Sequence, residues 1–237
     1  MAEPKARRRD AVLEHIHALL ASGELRAGDR LPPERTLAAQ LGVSRPSVRE
    51  AIGALEVLGL LRAEVGSGPE AGTLVRPDAS AGITASLQAH LAARSLPIAD
   101  IVSARLLLEA WAVAEAAGRP ADPQLRVAGE LLEQMEDRQL SATAFHRLDA
   151  DFHLALVRAA DNQVVAAIMA ALRDSIHDYV LATVSRLTDW PTTAARLRSE
   201  HRRIYRAVLA GDGHGAAAAT RQHIDGYYRE VTDSYRS

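Results

Sequence analysis

The chain has 237 residues, 48% hydrophobic, 4% aromatic and 24% charged, with a formal net charge of −2 and no cysteine. At roughly 150 residues per domain, this length allows one large domain or two small ones, and the missing cysteine excludes a disulfide scaffold, a thiolate metal site and a cysteine nucleophile. The near-neutral total argues against a nucleic-acid partner only until charge is counted by segment, because residues 1–62 carry ten Lys and Arg against eight Asp and Glu and the remainder sums to −4. No stretch approaches the ~18 consecutive apolar residues of a membrane span, and residues 1–10 lack the apolar core of a signal peptide. A cytoplasmic protein without a membrane partner is expected.

In chain order, a first helix is predicted from about Arg8 to Ser22, with Val12, Ile16, Leu19 and Leu20 on one face and a stop at Gly23. A short second helix, Pro33 to Leu41, opens on a proline whose missing N–H costs nothing in the first turn. Gly42-Val43-Ser44 makes a tight turn, and Ser44 caps a third helix running to about Leu58 that packs through Val48, Ala51, Leu55 and Leu58. Strand signals are confined to Leu60–Val65 and Gly72–Arg76, around the turn-forming stretch Gly66 to Ala71. After Pro77 the small-residue stretch Asp78 to Gly82 reads as a linker. Helical patterns follow at roughly 83–94, 98–118, 123–138, 143–160, 163–188, 193–210 and 214–235, broken at Pro97, Gly118-Arg119-Pro120, Asp161-Asn162, Pro191 and Gly211-Asp212-Gly213. The fold class is mainly α: an N-terminal winged helix-turn-helix (1–77), a linker with a first connecting helix (78–97) and an all-helical antiparallel bundle (98–237).

Two helices joined by a glycine-containing turn and followed by a hairpin suit a reader of double-stranded DNA, with the second of the pair in the major groove. Arg45 and Arg49 lie one turn apart on a flank of the apolar stripe, so they leave the core together. A guanidinium there can bond guanine N7 and O6 in bidentate fashion or clamp a phosphate. Arg35 would meet the backbone, and the Ser44 and Ser47 hydroxyls could add phosphate contacts. Taken alone, two arginines at this spacing are more often a solvated face beside Glu50 and Glu56. The wider pattern reverses that weighting. Gly23-Glu24-Leu25-Arg26-Ala27-Gly28, Leu31-Pro32-Pro33-Glu34-Arg35, Leu37-Ala38, Leu41-Gly42-Val43-Ser44-Arg45, Val48-Arg49-Glu50-Ala51, Gly59-Leu60 and Gly72-Thr73 together resemble the GntR family of bacterial transcription regulators. The resemblance implies DNA contact through Arg35, Arg45 and Arg49, with a wing tip near Gly66 to Gly68 reaching the minor groove. The segment Gly66 to Thr73 is longer than a compact wing and carries Pro69 and Glu70. A reader with few base contacts implies a homodimer on a pseudo-palindromic operator.

In the second half, Asp149 and His153 are four residues apart on one helical face, the spacing that aims two donors at one ion. His201 and His223 are equidistant from Asp212 in the turn between the last two helices, so an antiparallel hairpin brings them level. Three imidazoles and a carboxylate suit Zn²⁺, Ni²⁺ or Mn²⁺ and leave a position for water or an anion. Spacing alone does not exclude His146, which is three and seven residues from Asp149 and His153, whereas Asp151 points elsewhere and His177 has no partner by spacing. Arg105-Leu106-Leu107-Leu108-Glu109, Leu148-Asp149-Ala150-Asp151-Phe152-His153, Asn162, Glu200-His201-Arg202-Arg203-Ile204 and His223 resemble the FCD ligand-binding domain of FadR-like GntR regulators. That resemblance implies Asp149, His153, His201 and His223 as metal ligands and Arg105 as the partner of a small carboxylate effector. It leaves His146 beside the site or at the surface. Arg105 has a simpler alternative, an exposed helix pair with Glu109 worth only ~0.3–0.5 kcal/mol.

The expected function is therefore a transcription regulator, a repressor released by its effector. The alternative is a metal-dependent hydrolase using the Asp/His site to activate water, although no HExxH segment and no separate general base are present.

Overall fold

Helix α1 (Lys5–Ser22) begins a turn earlier than periodicity indicates and buries Val12 and Ile16. The structure, a computed structural model, describes residues 5–64, 72–76, 80–93, 96–184 and 189–233. Helix α2 (Glu34–Leu41) ends where Gly42 adopts φ 63° and ψ 28°, a left-handed conformation in which glycine carries no Cβ penalty. Helix α3 (Arg45–Val57) starts on the Ser44 cap, whose Oγ accepts from the Ser47 backbone N–H at 3.3 Å, with Pro46 in its first turn. Ser44→Ala is accordingly expected to lower unfolding stability by about 1 kcal/mol in a denaturant titration, because an N-terminal N–H loses its acceptor.

Strands β1 (Leu61–Glu64) and β2 (Gly72–Val75) pair antiparallel, with Leu61 opposite Val75 and Glu64 opposite Gly72. The α1–α2 connection lies along β2, where the Leu31 N–H donates to the Thr73 carbonyl at 2.8 Å and the Gly28 N–H to that of Val75 at 2.9 Å. Leu25, Leu31, Leu37, Val48, Ile52, Leu55, Leu61 and Val75 close one core with Val12 and Ile16. Leu58 departs from expectation. It lies just past the end of α3 and is 69% exposed, and Ile52 takes the buried place on the helix instead. The wing segment 66–71, including Gly66, lies outside the described residues.

Helix α4 (Ser80–Ala92) begins inside the stretch read as linker, because Ser80 and Ala81 are as compatible with a helix start as with a connection. The chain divides into two units between Ile83 and Thr84, within this helix. The second unit contains α5 (Ile98–Ala117), α6 (Pro123–Met135), α7 (Ala142–Arg158), α8 (Gln163–Val184), α9 (Trp190–Leu209) and α10 (Gly213–Asp233). Pro191, expected to break the chain, instead occupies the first turn of α9, where Asp189 caps the helix by accepting from the Thr192 N–H at 3.1 Å. Within this unit α10 packs on α5 and α9, and α6 packs on α7. A Cβ at Gly213 would lie 2.9 Å from the Ala114 carbonyl oxygen, so the close approach of α10 to α5 depends on that glycine. Phe145, Phe152, Leu156, Leu197, Ile204 and Val208 fill the core around which the histidines are set. Among the described residues no helix is long and apolar enough to cross a membrane.

Candidate metal centre and DNA-reading face

The apolar stripe of α7 buries Phe145, Phe152 and Leu156 and carries His153 inward with them, to 4% exposure. Asp149 follows one turn earlier on the same side. His201 is enclosed completely on α9, with the Phe152 ring centroid 5.1 Å away and the Phe145 ring stacked at 6.2 Å. The hairpin of α9 and α10 then brings His223 level with His201, as their equal distances from the turn require.

Four potential ligand atoms, one from each of Asp149, His153, His201 and His223, lie within 4.8 Å of one another. The Nε2 atom of His223 is 3.2 Å from Nε2 of both His153 and His201, and His201 Nε2 is 2.9 Å from Asp149 Oδ1. Three imidazole nitrogens turned toward one point leave lone pairs that cannot all be matched by ring protons. The donor set, three nitrogens and one carboxylate oxygen, fits a divalent cation of the first transition row, and the cluster could hold one.

The electrostatics agree. Burial and the neighbouring His201 push His223 down to about 4, and burial lowers His201 against the pull of Asp149, so both rings are neutral, the form that ligates. Burial would lower His153 as well, but Glu109 and Asp149 outweigh it and raise this ring. Burial opposes the charge of Asp149, yet the hydrogen bond and charge of His201 hold its carboxyl well below the usual range. Glu109, equally disfavoured by burial, is held at about 2 by Arg105 and His153. Two rings that disfavour their own protonation beside the ionised Asp149 carboxylate favour a cation at the centre.

Sequence reasoning gave no metal-site role to the two carboxylates behind the rings. Glu109 on α5 is 1% exposed and its Oε2 lies 2.8 Å from His153 Nδ1, while Glu200 Oε2 on α9 lies 2.7 Å from His223 Nδ1. Glu200 was within reach of the hairpin argument, being adjacent to His201 and so also level with His223. No spacing relates Glu109 to His153, since they lie on different helices. Arg105 does pair with Glu109, at 2.8 Å, but its side chain is only 15% exposed, so the exposed helix pair considered from sequence is not what forms. Arg105 lines a cavity of about 40 Å³ with His146, Asp149, His223, Tyr227 and Tyr228. His146 is buried beside the site, its Nε2 3.1 Å from the Tyr227 hydroxyl. Asp151 points away and bonds Arg173 at 2.8 Å, and the His177 side chain lies outside the described residues.

In the first unit, Arg45 and Arg49 leave the core together, 60% and 64% exposed, and both face Glu34 on α2, at 3.8 and 3.2 Å. Arg35 and Ser44 are exposed as well. Ser47 is not: it is 2% exposed with its hydroxyl 2.9 Å from that of Ser44. It lies in the first turn of α3 on the buried side, facing the Ser44 cap.

Residues 8–70 match the family model for bacterial regulatory proteins of the gntR family, and residues 100–226 match that of the FCD domain. The chain is 30% identical over 224 residues to "HTH-type transcriptional regulator LutR" of Bacillus subtilis (strain 168), covering 90% of this chain and 99% of the relative. It is also 30% identical over 221 residues to "Glc operon transcriptional activator" of Escherichia coli (strain K12), covering 91% and 85%. The solved structure "Streptococcus agalactiae GntR" shares the fold at a TM-score of 0.67 and 24% identity, over 93% of this chain and 99% of that one. These relatives are regulators, which removes the hydrolase alternative. With a helix-turn-helix and wing hairpin in one unit and a helical bundle around a His/Asp cluster in the other, the chain belongs to the GntR family of DNA-binding transcription regulators, in its FadR-like branch with a C-terminal FCD domain.

Proposed function

We propose that this regulator binds its operator as a homodimer in the cytoplasm and is controlled by a small carboxylate that binds beside a metal ion in the FCD domain. The observation that carries the reading is the adjacency of the four-ligand cluster to the cavity lined by Arg105. A guanidinium and a divalent cation supply two positive elements for one carboxylate. The cavity of about 40 Å³ has room for about three waters, so the smallest carboxylates suit it best. Zn²⁺, Ni²⁺ and Mn²⁺ all accept such a donor set, Asp149, His153, His201 and His223 being the proposed ligands. In the first unit Arg35, Arg45 and Arg49 are the proposed DNA contacts, with Ser44 and the wing at Gly66 as further candidates. For the dimer, α5 presents Leu107 and Trp111 one turn apart, 70% and 40% exposed, an apolar face suited to a second copy.

The effector can act only by binding DNA-competent and incompetent arrangements with different affinity. Repression relieved by the carboxylate is the proposed sign. Elemental analysis of the purified chain is expected to find about one metal ion per protomer, and a thermal-shift screen of small organic acids should find acids that raise the melting temperature. That rise should vanish after chelation. An acid whose effect survives complete metal removal contradicts a carboxylate site built on the metal. On duplexes selected by the protein from random DNA, the same acid should weaken binding; strengthened binding would overturn relief of repression as the sign.

A further inference from the structure

The carboxylate of Glu109 touches both halves of the site at once. Its Oε1 accepts from Arg105 at 2.8 Å; its Oε2, a buried oxygen with no well-formed hydrogen bond of its own, lies 2.8 Å from Nδ1 of His153, close enough to accept from it once the ring is aligned. The group is 1% exposed and sits on α5, whereas His153 is on α7. Glu200 plays the corresponding part for His223, at 2.7 Å, but its other oxygen meets Arg196, which does not line the cavity. Glu109 alone among the described carboxylates thus connects a proposed metal ligand to the proposed effector arginine.

We propose that Glu109 is a positioning residue that fixes His153 as an Nε2 ligand and holds Arg105 toward the effector cavity, so that metal and carboxylate binding depend on one buried group. The inference rests on the metal and carboxylate reading given above and names the residue that joins its two parts. The chemistry is specific to a carboxylate. The Nδ1–H of His153 needs an acceptor, and so does the Arg105 guanidinium, which has donors only. Glu109 provides two acceptor oxygens on one rigid plane. With Nδ1 protonated, the lone pair of His153 is on Nε2, the atom that faces His223. Arg105 uses Nε and Nη2 on Glu109 Oε1, which orients the guanidinium plane beside the cavity it lines.

A glutamine in this place has the same shape and the wrong donors. If its amide oxygen faces Arg105, its NH₂ meets His153 and requires Nδ1 to accept; the ring proton then moves to Nε2, where the ion would bind. If the amide is turned the other way, its NH₂ meets the guanidinium, donor against donor. Either the ligand tautomer or the arginine contact is lost.

The test uses the full chain. Zn²⁺ affinity is measured by competition with a chromophoric chelator for the wild type, Glu109→Gln and Glu109→Asp, and acetate is titrated at saturating Zn²⁺. Nitrogen-15 imidazole spectra of the Zn²⁺-loaded wild type read which atom of His153 carries the proton. Zn²⁺ binding should weaken by about 10–100-fold in Glu109→Gln, with Glu109→Asp between the two, and acetate binding should weaken by about fivefold, the worth of one modest hydrogen bond. His153 should be protonated at Nδ1 and bound through Nε2. Ligation through Nδ1 overturns the inference whether or not the variants fold. Zn²⁺ affinity within about twofold of wild type in Glu109→Gln overturns the histidine half, and unchanged acetate affinity overturns the arginine half. A wild-type chain that binds no Zn²⁺ overturns the underlying metal reading itself.

Discussion

In His201→Ala protein, metal affinity is expected to fall by about 100-fold or more, and metal should be lost from the purified chain. A four-ligand site of this kind in small zinc domains amounts to roughly 10–16 kcal/mol, so one ligand of four carries a share of about 3 kcal/mol, slightly more than a hundredfold. His201 is the most enclosed of the set, at 0% exposure, and its Nε2 is the nitrogen that Asp149 contacts. The same variant has a thermal signature. A metal at about 1,000 times its dissociation constant stabilises the native chain by ~4 kcal/mol, and at about 10 times by ~1.4 kcal/mol. For a unit of this size each kcal/mol moves the melting temperature by about 2–4 °C. A metal concentration that raises the wild type by ~8–16 °C should therefore raise His201→Ala by only ~3–6 °C. Because the cavity left by the ring also lowers the baseline, the quantity to compare is the rise on adding metal. Full metal content in the variant would refute the four-ligand site.

Periodicity and glycine stops place α2, α3 and the helical elements of the bundle because one face of each helix is apolar and each break has a backbone cause. Pro191 was misassigned because proline ends a helix only from its interior; in the first turn it is well accommodated, and Asp189 supplied the cap. Leu58 shows the opposite failure. Spacing says which residues share a face, but not where the helix ends. In the site, the i, i+4 pair Asp149/His153 and the hairpin pair His201/His223 were legible because local geometry fixes them. Glu109 and His153 meet only through the packing of α5 against α7, and no rule of spacing operates between separate helices. Glu109 therefore emerges only from tertiary structure, whereas Glu200, adjacent to His201, follows from the same hairpin spacing that places His223.

At the DNA-reading face, Arg45→Ala and Arg49→Ala are each expected to weaken operator binding by ~1–3 kcal/mol per half-site if the guanidinium reads a guanine edge. A dimer presents each arginine twice, so the loss for the whole operator approaches double that. Both side chains are more than half exposed and project from the first two turns of α3, the part of a recognition helix that meets base edges. In the free protein Glu34 faces both guanidiniums. This ion pair is solvated and worth little, so breaking it on DNA costs little. After loss of one arginine, the Glu34 charge keeps only the other as its partner on this face. Salt dependence separates the two roles an arginine can have. An arginine on a phosphate, when removed, should weaken all duplexes alike and reduce the slope of log affinity against log salt by about 0.9 per contact. One reading a base should weaken the selected operator far more than random duplex and relax selection at one position of each half-site. Unchanged affinity and unchanged selection in both variants would show that α3 does not present these arginines to DNA, and would transfer the reading role to Arg35 and the wing.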